Sequence, residues 1–194
     1  MADKPLLIIV NGLPGAGKTT LARRLAADVG VPVFSRDGIY ETLYDALGCG
    51  ASGDPPLPGA ASFALLYQVA GAVLAAGQPV LVEGFFGRPE VRRKEFLRLR
   101  ERHDFEPLEM FCVADGAVLM ERFLARGTSG ERHESHRDRD MEWLEDNETR
   151  LRHGQLAPLS LGGTMLEINT TTPDRFVYEE VLRQIRAALA KTGA

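Results

Sequence analysis

Gly12-Leu13-Pro14-Gly15-Ala16-Gly17-Lys18-Thr19 constrains this chain more than any other stretch. Immediately before it runs Pro5-Leu6-Leu7-Ile8-Ile9-Val10, an apolar segment that reads as a strand buried on both faces. Immediately after it, Thr20-Leu21-Ala22-Arg23-Arg24-Leu25-Ala26-Ala27 places apolar residues at helical spacing. A G-x-x-x-x-G-K-T run between a strand and a helix is a phosphate-binding loop. Its glycines let the backbone turn tightly and point N–H groups at phosphate oxygens. The positive end of the following helix adds to that field. Lys18 then reaches the β- and γ-phosphates, and the Thr19 hydroxyl is a Mg²⁺ ligand. A random match anywhere in a chain of this composition is expected on the order of a few times in a thousand. Lys18 is also one of four lysines beside nineteen arginines. The expectation is a nucleoside triphosphate site with Mg²⁺; the loop does not say which triphosphate is preferred.

The 194 residues suit one domain, 1–194, with a substantial core. No apolar run approaches the length of a membrane span, and Met1-Ala2-Asp3-Lys4 leads straight into the first strand, so the expected compartment is the cytoplasm. A net charge of −4 argues against general, charge-driven nucleic-acid binding but leaves room for a local basic groove. Cys49 and Cys112 show no metal spacing; Cys112 lies in an expected core strand and reads as a small buried hydrophobe.

Strand-like and helix-like segments alternate along the chain, the pattern of an α/β fold with a five-stranded parallel sheet flanked by helices. Further strands are expected over Val31–Phe34, Pro79–Val82, Leu108–Ala114 and Met165–Ile168. Helices are expected from Arg36, over Ala60–Ala76, from Pro89 to His103, after Asp115, over Met141–Leu151 and from Pro173 to Ala190. Gly48–Gly59, rich in Gly and Pro, reads as a mobile loop over the acceptor. The charged segment around 127–140 reads as a short lid over the nucleotide.

Phosphoryl transfer is mostly positioning and charge stabilisation, so the residues sought are carboxylates for metal and acceptor, and arginines for phosphate. Asp37 follows the second strand at its carboxyl end. There it is placed to take a proton from an acceptor hydroxyl or to hold a metal-bound water; supporting the first turn of its helix is the plainer alternative. Glu83 ends Val80-Leu81-Val82-Glu83-Gly84 and either completes a Mg²⁺ shell through water, touches the acceptor, or simply ends a strand. Arg122 and Arg126 share a helix face, and with Arg132 they surround the lid, where planar guanidinium forks suit polyphosphate oxygens. Arg88, Arg92 and Arg93 either line the acceptor pocket or belong to a solvated, ion-paired helix. Phe85 and Phe86 either stack on an acceptor ring or pack in the core. His133-Glu134-Ser135-His136 lacks metal-site spacing and a third ligand.

Taken together, Gly12-Leu13-Pro14-Gly15-Ala16-Gly17-Lys18-Thr19-Thr20, Ser35-Arg36-Asp37, Val80-Leu81-Val82-Glu83-Gly84, the arginine-rich helix from Arg88, the Arg122/Arg126 pair and Arg132-His133 resemble small P-loop kinases of the AAA-domain group. That group includes chloramphenicol phosphotransferase, zeta toxins and the kinase module of bacterial polynucleotide kinases. The resemblance spans nearly the whole chain, though only the first element is highly specific. It implies Asp37 as general base and Arg122, Arg126 and Arg132 as lid arginines on ATP; Lys18, Arg126 and Arg132 are the further catalytic candidates, and Thr20 extends the nucleotide-binding loop. It also implies adenine contacts from Asn169-Thr170-Thr171, Thr170 among them. Many relatives carry Asp at the position of Glu83; the longer side chain still reaches a metal's water shell.

The expected activity is transfer of the γ-phosphate of ATP to a hydroxyl of a small molecule such as a nucleoside, sugar or antibiotic. A polynucleotide 5′-hydroxyl is the alternative acceptor, and it calls for a basic, aromatic-lined groove. A nucleotide-dependent switch is the third reading, but Asn-Lys-x-Asp and a tandem acidic pair are both absent. Neither the identity of the acceptor nor the oligomeric state is written in the chain.

Overall fold

The computed structural model describes residues 4–49, 58–128, 130, 132–172 and 175–192. Five strands form one parallel sheet: β1 (Leu6–Gly12), β2 (Val33–Ser35), β3 (Val80–Gly84), β4 (Glu106–Val113) and β5 (Thr164–Asn169), in the order β2-β3-β1-β4-β5. Among the described residues seven helices flank it: α1 (Lys18–Val29), α2 (Arg36–Ala46), α3 (Gly59–Ala75), α4 (Pro89–His103), α5 (Gly116–Thr128), α6 (Arg137–Arg152) and α7 (Arg175–Lys191). A 3₁₀ turn, Glu134–His136, precedes α6. Among the described residues, no helix is long and apolar enough to cross a membrane.

The central strand explains the two layers. Every residue of β1 is buried, and because strand side chains alternate, its apolar residues divide between the faces of the sheet. Leu6, Ile8 and Val10 join one core with α1, α5 and α7. Leu7 and Ile9 join the other with α3 and α4. A parallel sheet covered on both faces brings the carboxyl ends of its strands to one edge, where ligands gather in such folds.

Several boundaries differ from the sequence reading. The second strand starts at Val33 rather than Val31, because Pro32 has no N–H to give the ladder and contributes only its carbonyl, to Leu81 N at 2.9 Å. Its end moves to Ser35, which also caps α2. Strand β4 begins two residues earlier, at Glu106, whose N–H reaches Pro5 O at 2.9 Å. Helix α6 begins at Arg137, so part of the expected lid is the 3₁₀ turn and the first turn of a helix. Of the expected Gly48–Gly59 loop, residues 50–57 lie outside the described residues, as do 129 and 131 of the lid segment. Cys112 is buried, and desolvation pushes its thiol up to about 12, as suits a small core hydrophobe.

One polar network lies inside this apolar frame. Asn11 is wholly buried at the end of β1. Its Oδ1 accepts from Gly12 N at 2.8 Å and Phe86 N at 3.3 Å, while its Nδ2 donates to Glu109 Oε1 at 3.1 Å. Glu109, 4% exposed in β4, also accepts from Leu159 N at 2.9 Å and more distantly from Ser160 N at 3.4 Å. The network joins β1, the exit of β3 and the approach to β5. Removing the carboxylate strands buried donors, which costs about 1–3 kcal/mol each. Glu109→Leu is therefore expected to lower the unfolding free energy by about 3 kcal/mol, and Glu109→Gln by less, in urea denaturation. A Glu109→Leu protein as stable as the parent would remove the network as a structural tie.

Candidate active site

The loop between β1 and α1 is shaped from outside. Thr170 Oγ1 donates to Ala16 O at 3.1 Å, and Arg122 Nη1 lies 3.4 Å from Gly15 O. With those carbonyls drawn outward, the N–H groups at the start of α1, which have no intrahelical partners, are left to face a ligand. Two glycines are sterically required. A Cβ on Gly12, at φ 156°, would sit 2.5 Å from Cys112 O, and one on Gly15, at φ 83°, would sit 2.8 Å from Leu119 O. The neighbouring strand and α5 come too close for any other residue.

The loop stands between two cavities. Pro14, Lys18 and Thr19 face one of about 620 Å³. Gly17 and Thr20 face another of about 400 Å³, closed by Leu21, Ile168, Val177 and Val181 and rimmed by Thr170. Hereafter the larger is the transfer cavity and the smaller the side cavity.

Four sequence-expected groups meet in the transfer cavity: Lys18, Thr19, Asp37 and Glu83. Sheet register explains this, since Glu83 on β3 pairs with Val10 of β1 and with Ser35 of β2. Glu83 is 3% exposed and its Oε2 accepts from Ser35 Oγ at 2.8 Å. Ser35 Oγ in turn accepts from Gly38 N at 3.3 Å, capping α2 and thereby placing Asp37. Lys18 Nζ donates to Leu13 O at 3.0 Å. Burial pushes the Lys18 ammonium below its ordinary value, although Glu83 and Asp37 pull the other way. For Asp37, burial would raise the carboxyl, but Arg36, His136 and Lys18 outweigh it and hold the group below the usual carboxylate range. Asp37 is thus an ionised carboxylate at neutral pH. A buried carboxylate and a hydroxyl beside a phosphate loop are hard oxygen donors of the kind Mg²⁺ takes.

The arginines separate. Arg126 and Arg132 line the transfer cavity. Arg122 lines the side cavity instead, its Nη2 held by Thr170 O at 2.9 Å and Thr171 O at 3.0 Å. Arg88 and Arg92 reach the transfer cavity, whereas Arg93 ties to Ser160 O at 3.1 Å on the surface. Phe85 stands in the cavity wall, edge-on to Trp143 with ring centroids 5.6 Å apart. Phe86 is fully buried against Phe63 and Phe96.

Sequence reasoning missed Arg36, Tyr40, Phe63 and His136, and the whole contribution of α6. Trp143, Asn147 and Arg150 of that helix line the cavity. Their i, i+4, i+7 spacing was available as a signal, but it describes a helix face without saying what the face meets. His136 Nε2 pairs with Glu41 Oε1 at 3.1 Å, and His133 Nε2 with Asp45 Oδ1 at 3.1 Å, so both histidines dock the 3₁₀ turn onto α2. Among the described residues, no three His, Cys, Asp or Glu side chains are grouped to hold a metal ion.

The lowered Lys18 sets a testable cost. Its folded pKa lies below the unfolded value of 10.5, so the penalty is fully present below the folded pKa and is lifted as pH rises toward 10.5. Lys18→Met is therefore expected to raise the melting temperature of the nucleotide-free protein near neutral pH. The gap to the parent should narrow as pH rises through that window. A variant that melts lower than the parent at neutral pH contradicts the assignment.

Comparisons with known proteins identify the family and the fold. A profile of the family described as AAA domain matches residues 7–151. The crystal structure of a candidate kinase from Chloroflexus aurantiacus superposes with a TM-score of 0.81 at 33% identity, covering 95% of this chain and 98% of that one. A sugar kinase from Janibacter sp. HTCC2649 shares the fold, with a TM-score of 0.58 at 15% identity over 97% of this chain and 98% of its own. Uncharacterised proteins of Mycobacterium tuberculosis and Mycobacterium bovis are 33% identical over 130 residues, 62% of this chain. The chain spans about a quarter of the length of these curated relatives, 25%. By sequence profile, fold and loop, the chain belongs to the AAA-domain family and stands among its small P-loop kinases.

Proposed function

We propose that this kinase moves the γ-phosphate of ATP to a hydroxyl group of a small molecule. The observation that carries the reading is the position of the phosphate loop between two cavities. An apolar side cavity rimmed by Thr170 suits adenine, and the transfer cavity lined by Lys18 and Thr19 is a second, larger volume next to the loop.

In this reading the loop N–H groups and Lys18 cradle the β- and γ-phosphates, with Arg126 and Arg132 on the oxygens that gain charge in the transition state. Arg122 acts on ATP indirectly, by pinning Gly15 and the Thr170–Thr171 backbone around the nucleotide. Thr19 and Glu83 would hold Mg²⁺, Glu83 through water, and the ion would neutralise charge on the β- and γ-phosphates. Asp37 accepts the proton of the acceptor hydroxyl as its oxygen attacks the γ-phosphorus. The bond to the β–γ bridging oxygen breaks and ADP leaves with that electron pair. The depressed pKa of Asp37 suits a group that orients the hydroxyl and takes its proton late, as a loose transition state requires. The cytoplasm, where ATP is available, is the compartment that fits.

Asp37→Asn is expected to keep ATP affinity and lose at least about a hundredfold in transfer, within the range for a positioned acid–base group. Undiminished transfer would falsify its role as base. Because Asp37 stays ionised well below neutrality, the rate should show no acid limb from this group between roughly pH 6 and 8. Arg126→Ala should slow transfer by about tenfold or more, measured as ADP release with acceptor present. An unchanged rate and unchanged ATP affinity would place Arg126 outside the machinery.

A further inference from the structure

We infer that the acceptor is a small hydroxyl compound that also carries a fixed negative charge, a carboxylate or phosphate monoester, gripped by Arg36 and Arg92. The inference deepens the kinase reading above and rests on it.

An excess of positive charge on the cavity lining motivates it. Arg36, Arg88, Arg92 and Arg150 line the transfer cavity beside Lys18, Arg126 and Arg132, against the carboxylates of Asp37, Glu83 and Asp146, with Arg36 paired to Asp37 and Arg92 to Glu95. In the kinase reading Lys18, Arg126 and Arg132 serve the phosphates of the donor. A neutral acceptor would leave the guanidinium donors that these pairs do not use facing an uncharged ligand in a partly desolvated space. An anion would satisfy them.

Two of the four are held in place before any ligand arrives. The Arg92 guanidinium lies 3.4 Å from the centroid of the Phe63 ring, and its Nη1 is fixed by Glu95 Oε2 at 2.7 Å. The Arg36 guanidinium lies 5.1 Å from the same centroid, with Nη1 on Asp37 Oδ1 at 2.9 Å. Their side chains are only 16% and 19% exposed. Arg36 Nε is buried and makes no hydrogen bond among the described residues. A planar fork stacked on a ring and anchored at one nitrogen presents its remaining donors in fixed directions. That geometry suits the paired oxygens of a carboxylate or phosphate. Because Arg36 precedes Asp37 in the chain and is bonded to it, an anion on this fork holds its hydroxyl-bearing carbon skeleton near the proposed base. The edge-on pair Phe85 and Trp143 supplies an apolar wall for that skeleton.

The volume sets the size. About 620 Å³ must also admit the γ-phosphate, which leaves space for a sugar-sized compound and not for several nucleotides.

The test compares matched pairs at fixed ionic strength with the full chain. Glucose is set against gluconate and glucose 6-phosphate, and glycerol against glycerate and glycerol 3-phosphate. A single-stranded oligonucleotide with a 5′-hydroxyl is the polymer control. Binding is read as thermal stabilisation in saturating MgADP, and transfer from labelled ATP. At least one anionic compound should stabilise saturably and exceed its neutral parent at least tenfold in kcat/KM. The carboxylate and phosphate arms show which anion is taken. Arg92→Met should lose that preference by a further tenfold or more while MgATP affinity is kept, and Arg92→Lys should retain part of it. Neutral parents binding as well as their anions, anions binding equally to Arg92→Met, or binding of the oligonucleotide alone each overturn the inference. Transfer to neutral compounds with no charge preference would overturn it and leave the kinase reading standing. Failure of the parent protein to bind MgATP removes both.

Discussion

Asn11 links the buried frame of this protein to its working edge. Its side chain sits at the one point where β1 must stop being a strand and become a phosphate loop. There it accepts from the N–H of Gly12 and of Phe86 while donating to Glu109. A fully buried amide with all of these partners is a rigid joint, since slipping any strand by one residue would leave several polar groups unpaired in an apolar core. The ends of β1, β3 and β4 are thereby held in one register. That register brings Glu83 beside Ser35, and Ser35 in turn sets the first turn of α2 and Asp37.

The electrostatics of the site follow from this joint. The end of β3 delivers a carboxylate and the start of α1 an ammonium into a region with little solvent, and the two partly compensate each other. Burial still dominates at Lys18, whose charged form is disfavoured until a polyanion arrives. Asp37 shows the reverse balance, because Arg36, His136 and Lys18 together exceed the cost of burial. Stability is spent at the loop lysine to prepare a site for phosphate, while the carboxylate stays charged whether or not a ligand is present.

Much of this was legible in the residues. Gly12 to Thr19 named the loop, the alternation of apolar runs with helical spacing named the α/β class, and a carboxylate after a buried strand pointed to Glu83. These signals are local: a turn that only glycine can make, a period of two or of 3.6, a charge at the end of an apolar run. What the residues left open is of another kind. Arg122 and Arg126 share a helix face four residues apart, yet one pins backbone carbonyls while the other lines the transfer cavity. Phe85 and Phe86 are adjacent and point to opposite destinations, cavity wall and core. The segment read as a polar lid carries two histidines that dock it on α2. Each outcome depends on which distant element supplies the partner.

By itself, then, the sequence determined the phosphate loop, the parallel sheet around it and the end of that sheet at which chemistry can occur. Those features arise from backbone sterics and from apolar periodicity, which act over a few residues. Tertiary structure alone decided how the loop divides two cavities, which arginines line the transfer cavity, and how Arg36, Arg92 and Phe63 come together from α2, α4 and α3. Guanidinium groups look alike in a chain. Their roles are set by what lies within about 4 Å, where Coulomb energy and hydrogen bonding act most strongly, and only folding determines that neighbourhood.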